Sequence, residues 1–240
     1  MIACKPIHRE SVSNIKLTTT DFIVEQVNKV KALDIFITSG LTNHAMTNNI
    51  ISKVNYRLSI LRGVFKFCDR RTKTILMNSL VISIFRYCCP ILLNSNLSIL
   101  SKLQTQLLKC TRYILGFESY KMSTISIMNE LKFMTIYHMI TKESICFMHK
   151  IIYNNSPSSI YNLLTYGNDE KNIRKIRKIR VKSNAICQKV KDSIIHRSVF
   201  LYNLLDYEVR QYNPKKLKRY LNGNIKYYFP YNKIPKDDNS

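Results

Sequence analysis

From Thr47 to Phe117 the apolar residues recur at helical spacing in three successive segments divided by polar breaks. In the first, Ile50, Ile51, Val54, Leu58, Leu61 and Phe65 trace one face of a helix, while Lys53, Arg57 and Arg62 fall on the other. The second, Arg70 to Leu93, is apolar nearly all round (Ile75, Leu76, Leu80, Val81, Ile84, Phe85), which predicts a helix at the centre of the array with neighbours on several sides. The third runs from Leu97 to Leu115 through Leu100, Leu103, Leu107 and Ile114, with Lys102, Lys109 and Arg112 turned outward. Helices of this kind owe most of their stability to packing rather than to propensity, so the expectation is one helical bundle.

Before the bundle the pattern alternates instead of cycling: Ile15 and Leu17, then Phe22 and Val24, then Leu33, Ile35 and Ile37. Two or three short strands fit it, with Asp34 interrupting the last, and Thr42 or Asn43 stands where a helix cap is needed. After the bundle, Ser123 is placed to cap a short helix, and a longer one is expected from Lys132 to Asn154. Ser156 and Pro157 mark a stop and restart, Ser183 to Arg210 holds one or two helices, and Pro214 opens a last short one. The fold class expected is therefore mainly α, a helical bundle with a short N-terminal β segment and a basic helical tail. The divisions fall at 1–42 for the β segment, 43–166 for the bundle and 167–240 for the tail, with YGNDEKN as the clearest boundary.

Charge adds a functional direction. Lys and Arg number 38 against 15 Asp and Glu, a formal net charge of +23 in 240 residues. Such an excess repels itself unless an anionic partner screens it, and nucleic acid is the leading partner. The abundance of Asn, Ile, Lys and Tyr beside only five Gly and no Trp also fits AT-rich coding DNA, which inflates Lys without selection for binding. The densest cluster is KNIRKIRKIRVK, Lys171 to Lys182, in which Arg174, Lys175, Arg177, Lys178 and Arg180 alternate with Ile173, Ile176 and Ile179. As a helix it is basic and amphipathic, suited to phosphate backbones, to an anionic membrane surface or to nuclear import, and the same composition also serves a solvated linker. A smaller cluster, Lys215, Lys216, Lys218 and Arg219, reads as a solvated helix face. Tyrosines beside cations, Tyr56, Tyr113 and Tyr220, are candidates for stacking on bases or, more commonly, for core positions with the hydroxyl outward.

Motifs for catalysis are missing. No acidic pair stands on an apolar strand as two-metal phosphoryl transfer requires, since Asp169-Glu170 and Asp237-Asp238 lie in polar, loop-like stretches. His8, His44, His138, His149 and His196 have no metal-ligand spacing, so neither a catalytic residue, a metal ligand nor a cofactor is expected. The seven cysteines are odd in number, scattered and never Cys-x-x-Cys, which suits reduced core residues and an intracellular setting, nucleus or cytoplasm. The apolar stretch Ile75 to Phe85 is too short and too polar for a membrane span, and MIACKPIHRE has no apolar leader, so no membrane association is expected.

The order of segments resembles the end of the palm, the thumb and the tail of a non-LTR (LINE-type) retrotransposon reverse transcriptase. VKALDIFITSGLTNHAMTNNI is similar to that family's strand, Leu-Gly turn and His-Ile entry to the thumb. NYRLSILRGV, KTILMNSLVISIFRYCCPIL and LSKLQTQLLKCTRYILGF resemble its thumb helices, and SPSSIYNLL and RSVFLYNLLDYEVRQYNPKKLKRYL its tail. Asp34 and Cys89 stand where the family usually has Gly, and the Trp and Pro of its closing element are missing. The palm's aromatic-x-Asp-Asp metal pair does not occur in this chain, so the resemblance implies a grip without polymerase chemistry. It implies sequence-tolerant binding of RNA or an RNA–DNA hybrid, with Lys53, Arg57 and Arg62 on the first helix and Arg174, Lys175, Arg177, Lys178 and Arg180 in the basic run as the contact residues. The alternatives are an interaction subunit that docks its strands on a palm-containing polymerase chain, and a retroelement remnant without function.

Overall fold

Side-chain caps mark where half of the ten described α-helices begin. In the computed structural model, which describes residues 17–18, 23–24, 27–40, 42–87, 89–116, 121–167, 178–181 and 193–229, a polar side chain accepts a backbone N–H of the first turn at five helix starts. Asp69 accepts from Arg71 and Thr72, Ser123 from Ser126, Thr135 from His138, Ser193 from His196 and Asn213 from Lys216. Each satisfies a donor that the helix leaves without a carbonyl partner. The Thr72 and Arg71 contacts also hold the Asp69 carboxyl below its ordinary range.

The described residues begin with two antiparallel strand pairs, β1 (Leu17–Thr18) with β2 (Ile23–Val24) and β3 (Lys29–Ala32) with β4 (Ile35–Thr38). Leu33 and Asp34 form the two-residue turn of the second, both at positive φ (47° and 64°), the conformation that matches the right-handed twist of the flanking strands. The break at Asp34 is thus a turn between two strands rather than an interruption within one. Helix α1 (His44–Phe65) follows, then α2 (Arg70–Leu76), a π-helical stretch (Met77–Ile82) and α3 (Ser83–Arg86). A 3-10 turn (Cys89–Asn94) leads to α4 (Leu97–Leu115), α5 (Thr124–Glu130) and α6 (Ile136–Asn154). Short α7 (Ser158–Tyr161) precedes the hairpin of β5 (Leu164–Gly167) and β6 (Lys178–Val181), and α8 (Ile194–Asn203), α9 (Tyr207–Arg210) and α10 (Pro214–Tyr228) complete the described chain.

The protein is mainly helical with a short β segment at its N-terminal end, and one hydrophobic cluster extends from Met46 to Phe229. The most enclosed helix is α6, not the 70–93 segment that its apolar composition would place at the centre. Twelve of the nineteen α6 residues are buried, against the 3-10 turn, α8, α10, α4 and α3, whereas α2 buries none of its side chains and Ile75 is exposed. Polar residues keep α6 from reading as central, because His138, Thr141, Lys142, Ser144 and His149 are all buried in it. Several have partners: His138 meets Thr135 Oγ1 and the Phe229 carbonyl through its two ring nitrogens, and Lys142 pairs with Glu143 at 3.1 Å and donates to Asn222 Oδ1. Buried polar groups with such partners avoid most of the penalty of leaving water.

A second difference concerns the basic run. Its end is a β-strand rather than a helix, because Lys178 to Val181 pair with Leu164 to Gly167 and the Asn203 side chain bonds both backbone groups of Ile179. Ile179 thereby enters the core, 5% exposed, while Arg180 on the other side of the strand is exposed. Lys171, Arg174, Lys175 and Arg177 lie outside the described residues. The last helix is longer than the sequence pattern suggested, with Leu217, Leu221 and Ile225 facing the core and Lys215, Lys216, Lys218 and Arg219 facing solvent.

Candidate nucleic-acid interface

Helices α1 and α4 lie side by side and run in the same direction. Gln106 Nε2 on α4 donates to Asn55 Oδ1 on α1, and seven residues further along both helices the Arg62 guanidinium lies 5.2 Å from the centroid of the Tyr113 ring. Leu58 and Leu61 of α1 and Leu103 and Leu107 of α4 are buried in the common core beneath this pair. Outward of that seam is an open groove of about 820 Å³. Arg62 lines one wall, Lys109 and Arg112 line the other, Tyr113 stands between them, and no carboxylate among the described residues takes part in the lining. Asn55, Ser59 and Gln106 add neutral hydrogen-bonding groups, and Gly116, at a φ of 76° that favours glycine, ends α4 at the mouth of the groove.

The arrangement can hold an anion by charge and by hydrogen bonds together. Guanidinium groups grip phosphate oxygens through paired N–H donors, and an aromatic ring beneath Arg62 fixes the plane of its fork. Three cations with no carboxylate among the described lining residues give the groove a positive potential that attracts an anion.

Of the residues singled out on the first helix, Arg62 alone borders this groove. Lys53 is ion-paired with Asp34, which Lys31 also approaches at 3.1 Å, so its ammonium ties α1 to the β3–β4 turn. Arg57 donates from Nη1 to the Leu80 carbonyl at 2.9 Å and so ties α1 to the π-helical stretch. Both lie on the flank of α1 away from α4. Arg180 is on β6, where Thr165 Oγ1 donates to its carbonyl oxygen, and Lys178 contributes backbone pairing to the same strand. Arg174, Lys175 and Arg177 lie outside the described residues. Lys109 and Arg112, legible in the sequence as outward cations of the third segment, become groove residues only through the pairing of α4 with α1. Of the tyrosines beside cations, Tyr113 lines the groove and Tyr56 is exposed. Tyr220 packs edge-on against Tyr212 and shares a hydroxyl contact with Tyr228, so it belongs to an aromatic cluster formed by α10 and the turn before it.

Groups with chemical reactivity are placed elsewhere and are damped by burial. Burial pushes the Cys110 thiol up to about 12 and the Cys146 thiol up to about 11, and it lowers His138, His149 and His196 below the ordinary histidine value. Among the described residues no group of three or more His, Cys, Asp or Glu is arranged to hold a metal ion, and no Asp or Glu is buried. No helix among them is long and apolar enough to cross a membrane. Asp169, Glu170, Asp237 and Asp238 fall outside the described residues. Comparison with known protein families, with curated proteins and with solved structures finds no match to this chain.

Proposed function

We propose that the chain grips the sugar–phosphate backbone of RNA or of an RNA–DNA hybrid, with little regard to sequence, as a thumb-like piece of a non-LTR reverse transcriptase lineage that carries no polymerase chemistry of its own. The observation that carries this reading is the groove between α1 and α4, lined by Arg62, Lys109 and Arg112 and by no carboxylate among the described residues. Backbone contacts from cations and polar side chains supply affinity and register without reading bases. The β3–β4 turn adds support for the lineage. Asp34, at the position where the family usually has Gly, adopts a left-handed conformation (φ 64°) in which glycine is favoured. The setting that goes with this reading is the nucleus or the cytoplasm.

Filter binding of an RNA–DNA hybrid across a salt series tests the proposal with the full chain. Log affinity should fall linearly with log salt, and charge reversal by Lys109→Glu should weaken binding and flatten the slope. Affinity that ignores salt, or a Lys109→Glu protein that binds as well as the parent, rejects the groove as a backbone grip.

A second reading, docking on a separately encoded palm-containing polymerase, is favoured by one observation at the hairpin. Val27, Val30, Leu33 and Ile37 are all exposed around β3 and β4, and Leu33 at the turn is 85% exposed. A two-stranded hairpin has free edges that a partner sheet can extend. Pull-down against a palm-only polypeptide distinguishes the readings: a complex lost on Val30→Lys supports docking, and no complex removes it.

A further inference from the structure

A second cavity, of about 370 Å³, lies between the π-helical stretch, the turn after α5 and helix α10. We propose that it is a binding site for a small phosphomonoester with an aromatic or apolar body, of the size of a nucleoside monophosphate. It is separate from the α1–α4 groove, sharing none of its lining residues.

The polar rim can only donate or adapt to an anion. Arg86 and Lys132 bring two cations, and neither has an ion-pair partner among the described residues. Asn78 brings an amide, and Asn222 offers its N–H groups because its Oδ1 already accepts from the buried Lys142 at 3.2 Å. Among the described residues no carboxylate lines the cavity, and the acid nearest in sequence to Lys132, Glu130, is held by Arg70. A guanidinium and an ammonium lining one volume favour a dianionic headgroup over a neutral one.

The backbone explains why these groups converge. Asn78 and Ile82 are four apart within the π-helical stretch and Arg86 is four further on, so the three share one side of the helix. Insertions that widen a helix in this way recur at binding sites. On the opposite wall Lys132 adopts a positive φ of 54°, which turns the chain sharply between α5 and α6. A lysine there has no glycine-like freedom, and such strain persists only where surrounding contacts hold it. The remaining lining is apolar: Phe133 and Met139 are buried in the core, and Met134 packs against it. A thioether pair beside an aromatic ring suits a flat apolar ligand body, and the volume falls within the roughly 300–1,000 Å³ usual for small-molecule sites.

Isothermal titration of the full chain with adenosine 5′-monophosphate, 1-naphthyl phosphate, inorganic phosphate and adenosine tests the assignment. The expected result is saturable binding of at least one of the two organic phosphates, about tenfold or more tighter than phosphate or adenosine alone. Arg86→Ala and Lys132→Ala should each lose about tenfold, because both cations are at the rim and exposed and neither variant removes core packing. Arg62→Ala should leave this affinity unchanged, which separates the site from the nucleic-acid groove. Asn78→Asp provides a variant of nearly equal volume that puts a negative charge inside the cavity and should abolish binding while retaining the parent's far-ultraviolet spectrum. No saturable binding below roughly 5 mM, inorganic phosphate binding as tightly as the organic phosphates, or affinity indifferent to Arg86 and Lys132 would each overturn the proposal.

Discussion

The Arg62 guanidinium rests over the Tyr113 ring, 5.2 Å from its centroid, and this contact joins two helices that start 53 residues apart in sequence. It serves packing and charge at once: the ring holds the fork in place at the groove wall while the N–H groups stay open to an anion. Arg62→Lys keeps the charge but not the planar fork, and Tyr113→Leu keeps apolar bulk but not the ring. Loss of an exposed cation–π contact costs about 0.5–1 kcal/mol, so both variants remain folded. Arg62→Ala should reduce the salt slope of hybrid binding by about one unit, and Tyr113→Leu should weaken binding while leaving the slope intact. Equal slopes for the parent and Arg62→Ala would show that Arg62 touches no phosphate.

The β3–β4 turn is less than optimal for its own conformation. Leu33 sits at φ 47° with its side chain 85% exposed, so it pays for a left-handed backbone and gains little burial in return. Its carbonyl accepts from Tyr87 Oη at 2.7 Å, a bond that any residue at this position retains. Leu33→Asn should therefore stabilise the protein by about 0.5–1 kcal/mol, because Asn tolerates this region far better than Leu. Asp34→Gly has the same backbone advantage but gives up the ion pairs with Lys31 and Lys53, which are partly exposed and each worth only about 0–1 kcal/mol. Urea midpoints should thus rise for Leu33→Asn and change little for Asp34→Gly. A lower midpoint for Leu33→Asn would mean that Leu33 packs in solution.

How far the sequence reveals this fold depends on which interactions are local. The faces of α1 and α4, the Ser123 cap and the opening of α10 at Pro214 all follow from spacing within one segment. The centrality of α6 does not. Its buried His138 and Lys142 are satisfied by Phe229 and Asn222, which lie 91 and 80 residues away, and hydrophobic periodicity is blind to such partners. The outer face of α1 is also misleading, since Tyr56, Ile60 and Val64 are apolar yet exposed and turn a one-faced pattern into a two-faced one. Arg62 could be placed on an outward face from sequence alone. Its meeting with Lys109 and Arg112 required the parallel pairing of α1 with α4, fixed by Asn55 and Gln106 at a separation of 51 residues.

Acid should loosen the packing around α6. His138 and His149 are 1% and 2% exposed, and burial holds both below the ordinary value of 6.5, with Lys226 also disfavouring the charged form of His138. In the unfolded chain these imidazoles take up protons as pH falls through about 6.5, whereas in the folded chain they resist until lower pH. The stability is therefore fully present above that value and is lost as pH falls below it toward the folded pKa. Carboxylates contribute little to a change between about pH 7.5 and 5.5, because they remain ionised there. The urea midpoint should drop across that interval, and the drop should be smaller in His138→Gln, whatever the variant's absolute stability. Identical pH slopes for His138→Gln and the parent would remove His138 from the account.

Thiol reactivity should separate the cysteines by position. Cys110 lies on the inner face of α4 and Cys146 within α6; both are buried, and loss of hydration raises their thiols to about 12 and about 11. Only the thiolate attacks an alkylating reagent, so at neutral pH these two are protected twice, by a negligible thiolate fraction and by exclusion of the reagent. Cys110 Sγ also contacts the Gln106 carbonyl at 3.1 Å within its own helix, which keeps the thiol proton engaged. Cys68, in the partly exposed link between α1 and α2, has no such cover. Peptide-resolved alkylation of the native protein should label Cys68 within minutes and leave Cys110 and Cys146 unlabelled until urea unfolds the core. Labelling of Cys110 at the Cys68 rate in native buffer would mean that the α1–α4 seam opens readily, and a groove built on that seam would then not hold its shape.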